Sequence, residues 1–146
     1  MNLDKAIAMF LRGVGGLLVT LGLVHLAATP HIRALLNGSS REVYQRAVGP
    51  TLLNHVLVGF LLLPLGYTTW LAAVAATRGE PWARRVLAIN ALVLLTLPVS
   101  IAACMRQPEY YTAPLFVTGV ALVAMISLLM IVALCLLAGR QRAVQG

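Results

Sequence analysis

Apolar positions in this chain do not alternate or recur once per turn; they run on without interruption. Four such runs cover roughly residues 7–28, 51–76, 82–105 and 111–138, with one long connection after the first and short ones after the second and third. Each reaches or exceeds the ~20 residues that cross a bilayer as a helix. Lipid offers no hydrogen-bonding partner to the backbone, so only helices or closed barrels span it, and continuous apolar runs mean helices. The pattern predicts an all-α integral membrane protein. It is a four-transmembrane-helix bundle in a single domain over residues 1–146, with short interfacial helices between helices 1 and 2.

The ends of the runs carry local signals. Arg78-Gly79 closes the second, because glycine takes the left-handed cap without strain. Glu80-Pro81-Trp82 opens the third, with proline in the first turn and tryptophan at the interface. Pro50 opens the second run in the same way, and Pro64 and Pro98 fall inside helices that they are expected to kink. Tyr110 and Tyr111 mark the interface before the fourth run. The long connection, residues 29–50, has structure of its own. Thr29-Pro30 reads as a helix start and Asn37-Gly38 as its end, and Ser39 with Glu42 has the spacing of a capping box opening a second short helix. The first run resembles a signal peptide in position, but Val24-His25-Leu26-Ala27-Ala28-Thr29-Pro30 is a poor cleavage site, so it reads as an uncleaved helix.

Composition agrees with lipid as the solvent. The chain is 60% hydrophobic and 10% charged, against about 25% charged in soluble domains. Its formal charge of +7, eleven Lys+Arg against four Asp+Glu, could suggest nucleic acid. The cations are instead spread between apolar runs, where they set topology and meet anionic headgroups, so no nucleic-acid partner is expected. Seven of them (Lys5, Arg12, Arg78, Arg84, Arg85, Arg140, Arg142) fall on one side and four (Arg33, Arg41, Arg46, Arg106) on the other. The positive-inside rule puts the richer side, with both termini, in the cytoplasm. Ten of the eleven cations are arginine, and alanine and leucine are abundant, which points to a GC-rich bacterial genome and hence to the bacterial inner membrane. Arg12 early in the first run, the glycines that follow it and four runs in a chain of this length are loosely similar to the DoxX-like membrane proteins. That similarity implies a four-helix membrane fold and no particular activity.

Little in the runs suggests catalysis. No Asp or Glu lies inside any of them, and the chain contains no HExxH, no nucleotide loop and no CxxC. Cys104 and Cys135 fall near the ends of successive runs, which antiparallel packing sends to opposite sides, too far apart for a disulfide. The histidines are the informative residues. His25 lies about one turn before the end of the first run and His55 about one turn after the start of the second, at similar depth. Helical spacing places Gly15, Leu18, Gly22 and His25 on one face, and His55, Gly59, Leu62 and Gly66 on another. Small residues let helices approach closely, so these faces are expected to pack together with both imidazoles inward.

Two readings of that pair follow. In one, the rings hydrogen-bond each other, Asn54, Thr29 or a carbonyl and lock the helix pair. In the other, His25 and His55 bind a cofactor (a metal, haem or a quinone), with His31, Cys104 and Met105 as further possible metal ligands. Asn54 and Asn90 are expected to make interhelical hydrogen bonds. Cys104, Met105, Met125 and Met130 read as lipid-facing or packing residues. The function most consistent with the sequence is a non-catalytic subunit or accessory factor of a membrane assembly, as a homo-oligomer or within a larger complex. The alternatives are the cofactor-binding reading, and an oligomeric channel or carrier for a small neutral solute. Reporter domains fused after Gly38 and after Gln107 are expected to be active only outside the cytoplasm, and a cytoplasmic signal from either would contradict this topology.

Overall fold

The computed structural model describes residues 3–37, 42–104 and 114–145. The described chain is all-α, in four helices: α1 (Leu3–Asn37), α2 (Glu42–Thr77), α3 (Pro81–Cys104) and α4 (Pro114–Gln145). All four contain a stretch long and apolar enough to cross a membrane, so the chain is a multi-pass membrane protein. Large apolar side chains such as Leu57, Phe60, Leu92, Val99, Leu128 and Val132 are exposed along them. In water such a surface would drive aggregation; in a bilayer it is the ordinary lipid-facing coat.

The connection between the first two runs is helical, but its described residues do not form separate short helices. α1 continues through Pro30 to Asn37, and α2 already begins at Glu42 and runs through Pro50 and Pro64. Interior proline removes one backbone bond and costs about 3 kcal/mol in a soluble helix. Stopping the helix in an apolar setting would strand several N–H and C=O groups instead, which costs more. At 35 and 36 residues, α1 and α2 are each over 50 Å long at about 1.5 Å per residue, well beyond a ~30 Å hydrocarbon core. Ser39, Met105, Tyr110 and Tyr111 lie outside the described residues.

The chain forms two compact units, one of residues 13–70 and the other of residues 1–12 with 71–146. In the second of these, α3 buries Ala83, Leu87, Asn90, Ala91 and Leu94, a single stripe at helical spacing. α4 buries Ile126, Met130, Ala133 and Leu137 with the same period, and α3 and α4 pack against each other. Asn90 is buried and partnered, as its place on an apolar helix requires. Ser127, also buried, donates to the Val123 carbonyl at 2.7 Å. Cys104 and Cys135 are both free and exposed, as is Met125, while Met130 is fully buried. An ion pair of 2.7 Å joins Arg140 to Asp4, so the start of α1 and the end of α4 lie at the same end of this unit. Both side chains are more than a third exposed, so the pair orients more than it stabilises.

The turn from α2 to α3 follows from Gly79. Its φ of 91° lies in the left-handed region, which lets the chain reverse sharply. The Gly79 amide then donates to the Ala76 carbonyl at 3.2 Å and the Glu80 amide to Ala75 at 3.0 Å, the paired bonds of a Schellman motif. Arg84 adds a third bond from the next helix, its Nε donating to the Ala76 carbonyl at 3.1 Å. Replacing Gly79 with Ala is expected to cost about 1–2 kcal/mol through left-handed strain alone, measured as a shift in the mixed-micelle unfolding midpoint. An unchanged midpoint would show that the turn does not depend on that conformation.

Candidate functional site

Within residues 13–70, α1 and α2 approach so closely that backbone meets backbone. A Cβ built on Gly15 would sit 2.7 Å from both the Gly66 carbonyl oxygen and the Trp70 nitrogen. One built on Gly66 would sit 2.6 Å from the Gly15 oxygen and 2.7 Å from the Val19 nitrogen. A turn or two further on, a Cβ on Gly22 would be 2.9 Å from the Gly59 oxygen, and one on Gly59 would be 3.2 Å from the Gly22 oxygen. Real Cβ atoms essentially never show the distances below 3.0 Å, so glycine is required at positions 15, 22 and 66, and at 59 the neighbours would have to give way. In each helix the two contact glycines are seven residues apart, the period that keeps one seam facing its neighbour over two turns. Leu18, Leu62 and Leu65 are buried on either side of these contacts.

That seam sets the position of the histidines. His25 follows Gly22 by one turn and His55 precedes Gly59 by one turn, so antiparallel helices in contact at Gly22 and Gly59 bring the two rings to the same level. Their centroids are 4.8 Å apart and their planes 28° from parallel, a stacked arrangement across the interface. The juxtaposition expected from the sequence is therefore present. The hydrogen-bonded lock between the rings is not, since among the described residues neither imidazole bonds the other.

Each ring has a different hydrogen-bonding state. His25 Nδ1 lies 3.1 Å from the Leu21 carbonyl of its own helix. A carbonyl can only accept, so Nδ1 carries the proton and the neutral ring keeps a bare lone pair on Nε2. The Thr29 hydroxyl donates to the His25 backbone carbonyl at 3.1 Å, tying the ring's own turn to the next. His55 Nε2 is buried and has no hydrogen-bond partner among the described residues. Stacking of two aromatic rings is worth roughly 0.5–1.5 kcal/mol, whereas a buried polar atom without a partner costs about 1–3 kcal/mol. The pair as it stands is therefore no net source of stability, unlike the glycine seam beside it.

Of the other expected site residues, His31 does not join the pair. His31 is exposed on α1, six residues beyond His25 and turned to another face. Cys104 belongs to the other unit and Met105 lies outside the described residues. Among the described residues no group of three His, Cys, Asp or Glu side chains could hold a metal ion. Asn54 precedes His55 in sequence, but one residue along a helix turns the side chain by about 100°, and it is exposed. Sequence spacing could not single out the Leu21 carbonyl, nor Leu26 and Leu63, whose side chains close over Gly59 and Gly22. No protein-family model, curated protein or solved structure matches the chain, so the loose DoxX-like similarity gains no support.

Substituting Gly15 or Gly66 with Ala is expected to destabilise the protein by about 1–3 kcal/mol, because rigid backbone must move apart. Gly13, whose added Cβ would meet nothing within 4 Å, serves as the control. Gly13→Ala should be neutral or gain up to about 1 kcal/mol from helix propensity. Equal effects at positions 13 and 66, read from unfolding midpoints in mixed micelles, would contradict the close approach.

Proposed function

We propose that this chain is a non-catalytic subunit or accessory factor of a membrane assembly, placed in a bacterial inner membrane with both termini cytoplasmic. The observation that supports the assembly is Asn54. It lies within the apolar span Val48–Thr77, yet it is exposed on a face that also presents Leu53, Leu57 and Leu61. Its amide makes no hydrogen bond among the described residues. A polar group left bare toward hydrocarbon costs several kcal/mol. A hydrogen bond to another transmembrane helix relieves that cost and is itself worth about 0.6–2 kcal/mol. The interhelical bond expected of Asn54 is then made to a second chain, either another copy or a different subunit. The placement of the termini rests on the excess of cations on one side of the spans.

Extraction in a mild detergent, followed by mass determination by light scattering and native mass spectrometry, tests this reading. The wild-type chain is expected in a species larger than a monomer. Asn54→Leu should shift it toward monomer, and Asn54→Gln should retain most of the assembly, since glutamine keeps the amide. A wild-type monomer with nothing bound, or an assembly indifferent to Asn54→Leu, would overturn it.

A second reading has an observation of its own in the stacked histidines. A ligand-binding role for His25 and His55 is compatible with membership of an assembly.

A further inference from the structure

We propose that the His25–His55 pair binds the carbonyl head of a planar, lipophilic molecule of the quinone class. The first ground is the buried His55 Nε2, a strong hydrogen-bonding atom held next to a second imidazole and without a hydrogen-bond partner among the described residues. Burial without a partner costs free energy, so such an atom calls for a partner from outside the chain. The second ground is that the two rings offer complementary chemistry. His25 Nδ1–H is committed to the Leu21 carbonyl, which fixes His25 Nε2 as an acceptor. His55 Nε2 is uncommitted and can carry an N–H. A quinone carbonyl accepts from that N–H, and the hydroxyl of the reduced quinol donates to the fixed lone pair. One site thus meets both forms, and no electron transfer is required of the protein.

The third ground is the surroundings. Both histidines lie within apolar spans, Leu3–Ala34 and Val48–Thr77, and each is only partly buried. A lipophilic ring can therefore arrive from the membrane and lay its face on the imidazole stack, as aromatic rings do at offset-stacked distances. In the ligand-free pair Nε2 is shielded; rotating His55 about its Cβ–Cγ bond, a broad and soft torsion, turns it to the arriving carbonyl without moving the helix.

The same geometry disfavours the other cofactors that two histidines suggest. A haem iron holds two axial imidazoles on opposite sides of the macrocycle. Rings stacked 4.8 Å apart, between helices whose glycine backbones touch one turn away, leave no room for that plane. Two neutral imidazoles alone would also leave a divalent ion with its full charge in a low-dielectric setting. An ester carbonyl of a phospholipid shares the hydrogen-bonding chemistry but brings no planar ring to the stack.

The test uses the full chain purified in dodecyl maltoside, which contains no ester. Binding of decylubiquinone, its reduced quinol, dodecylbenzene, dioleoylphosphatidylcholine and zinc ion is measured by titration calorimetry. Decylubiquinone and the quinol are expected to bind saturably at one site per chain, and dodecylbenzene and the phospholipid at least tenfold more weakly. His55→Leu should weaken quinone binding at least tenfold, while His55→Gln, whose amide still donates, should recover part of it. Elution volume on size exclusion and helical circular dichroism establish that both variants are folded. Should both misfold, the comparison of decylubiquinone with dodecylbenzene on the wild-type chain decides alone. The proposal is overturned if the two bind alike, if the quinone does not bind, if the phospholipid binds as tightly, or if zinc ion competes with the quinone at a 1:1 ratio. None of these results bears on the oligomeric mass, so the assembly reading stands or falls separately.

Discussion

Helices in lipid cannot be driven together by hiding apolar surface, because the solvent is as apolar as they are. What holds α1 to α2 is the approach of one backbone to the other at Gly15–Gly66 and again at Gly22–Gly59, where even a methyl group would collide. Close approach maximises dispersion contacts and brings peptide dipoles near each other. It works only where glycine stands at each point of backbone contact. The other features of this unit follow from that seam. It fixes the antiparallel register, and the register decides which residues on α1 and α2 lie opposite one another.

His25 and His55 are an outcome of that register. Each is one turn from the Gly22–Gly59 contact, so the seam brings the rings into a stack without a hydrogen bond between them. The glycines carry the stability and the histidines can be left polar and incompletely satisfied. This division of labour recurs in binding proteins, where a rigid scaffold keeps a reactive or adhesive group in an environment that it would otherwise leave. Asn54 lies on a different face, one residue away in sequence and about 100° around the helix, and it is exposed.

The sequence made much of this legible because lipid imposes simple rules. The number of spans follows from run length, and the seven-residue glycine spacing in both helices identifies the packing faces and with them the histidine pair. The helix limits were not readable from Pro30 and Pro50. Proline is a boundary signal in water, where a released carbonyl finds solvent, but α1 and α2 run straight through both positions. The hydrogen bonds of the imidazoles were not readable either. Spacing gives depth and face, but whether a ring bonds its neighbour or its own helix depends on a side-chain torsion, and His25 chose the Leu21 carbonyl. The interhelical bond expected of Asn54 is not made among the described residues, because spacing alone does not fix which face of the helix meets a neighbour and Asn54 is exposed.

The central claim is the register of α1 against α2, and one cross-linking measurement tests it directly. In a background with Cys104 and Cys135 replaced by alanine, cysteines are introduced at positions 25 and 55, and separately at positions 23 and 55, and disulfide formation under mild oxidation in membranes is followed by gel mobility. A disulfide needs Cα atoms within about 7 Å and side chains aimed at each other. The account predicts rapid, near-complete intramolecular bridging for the 25–55 pair and little for the 23–55 pair, because Leu23 is exposed on another face of α1. Absence of bridging at 25–55, or equal bridging of both pairs, would contradict the glycine-set register.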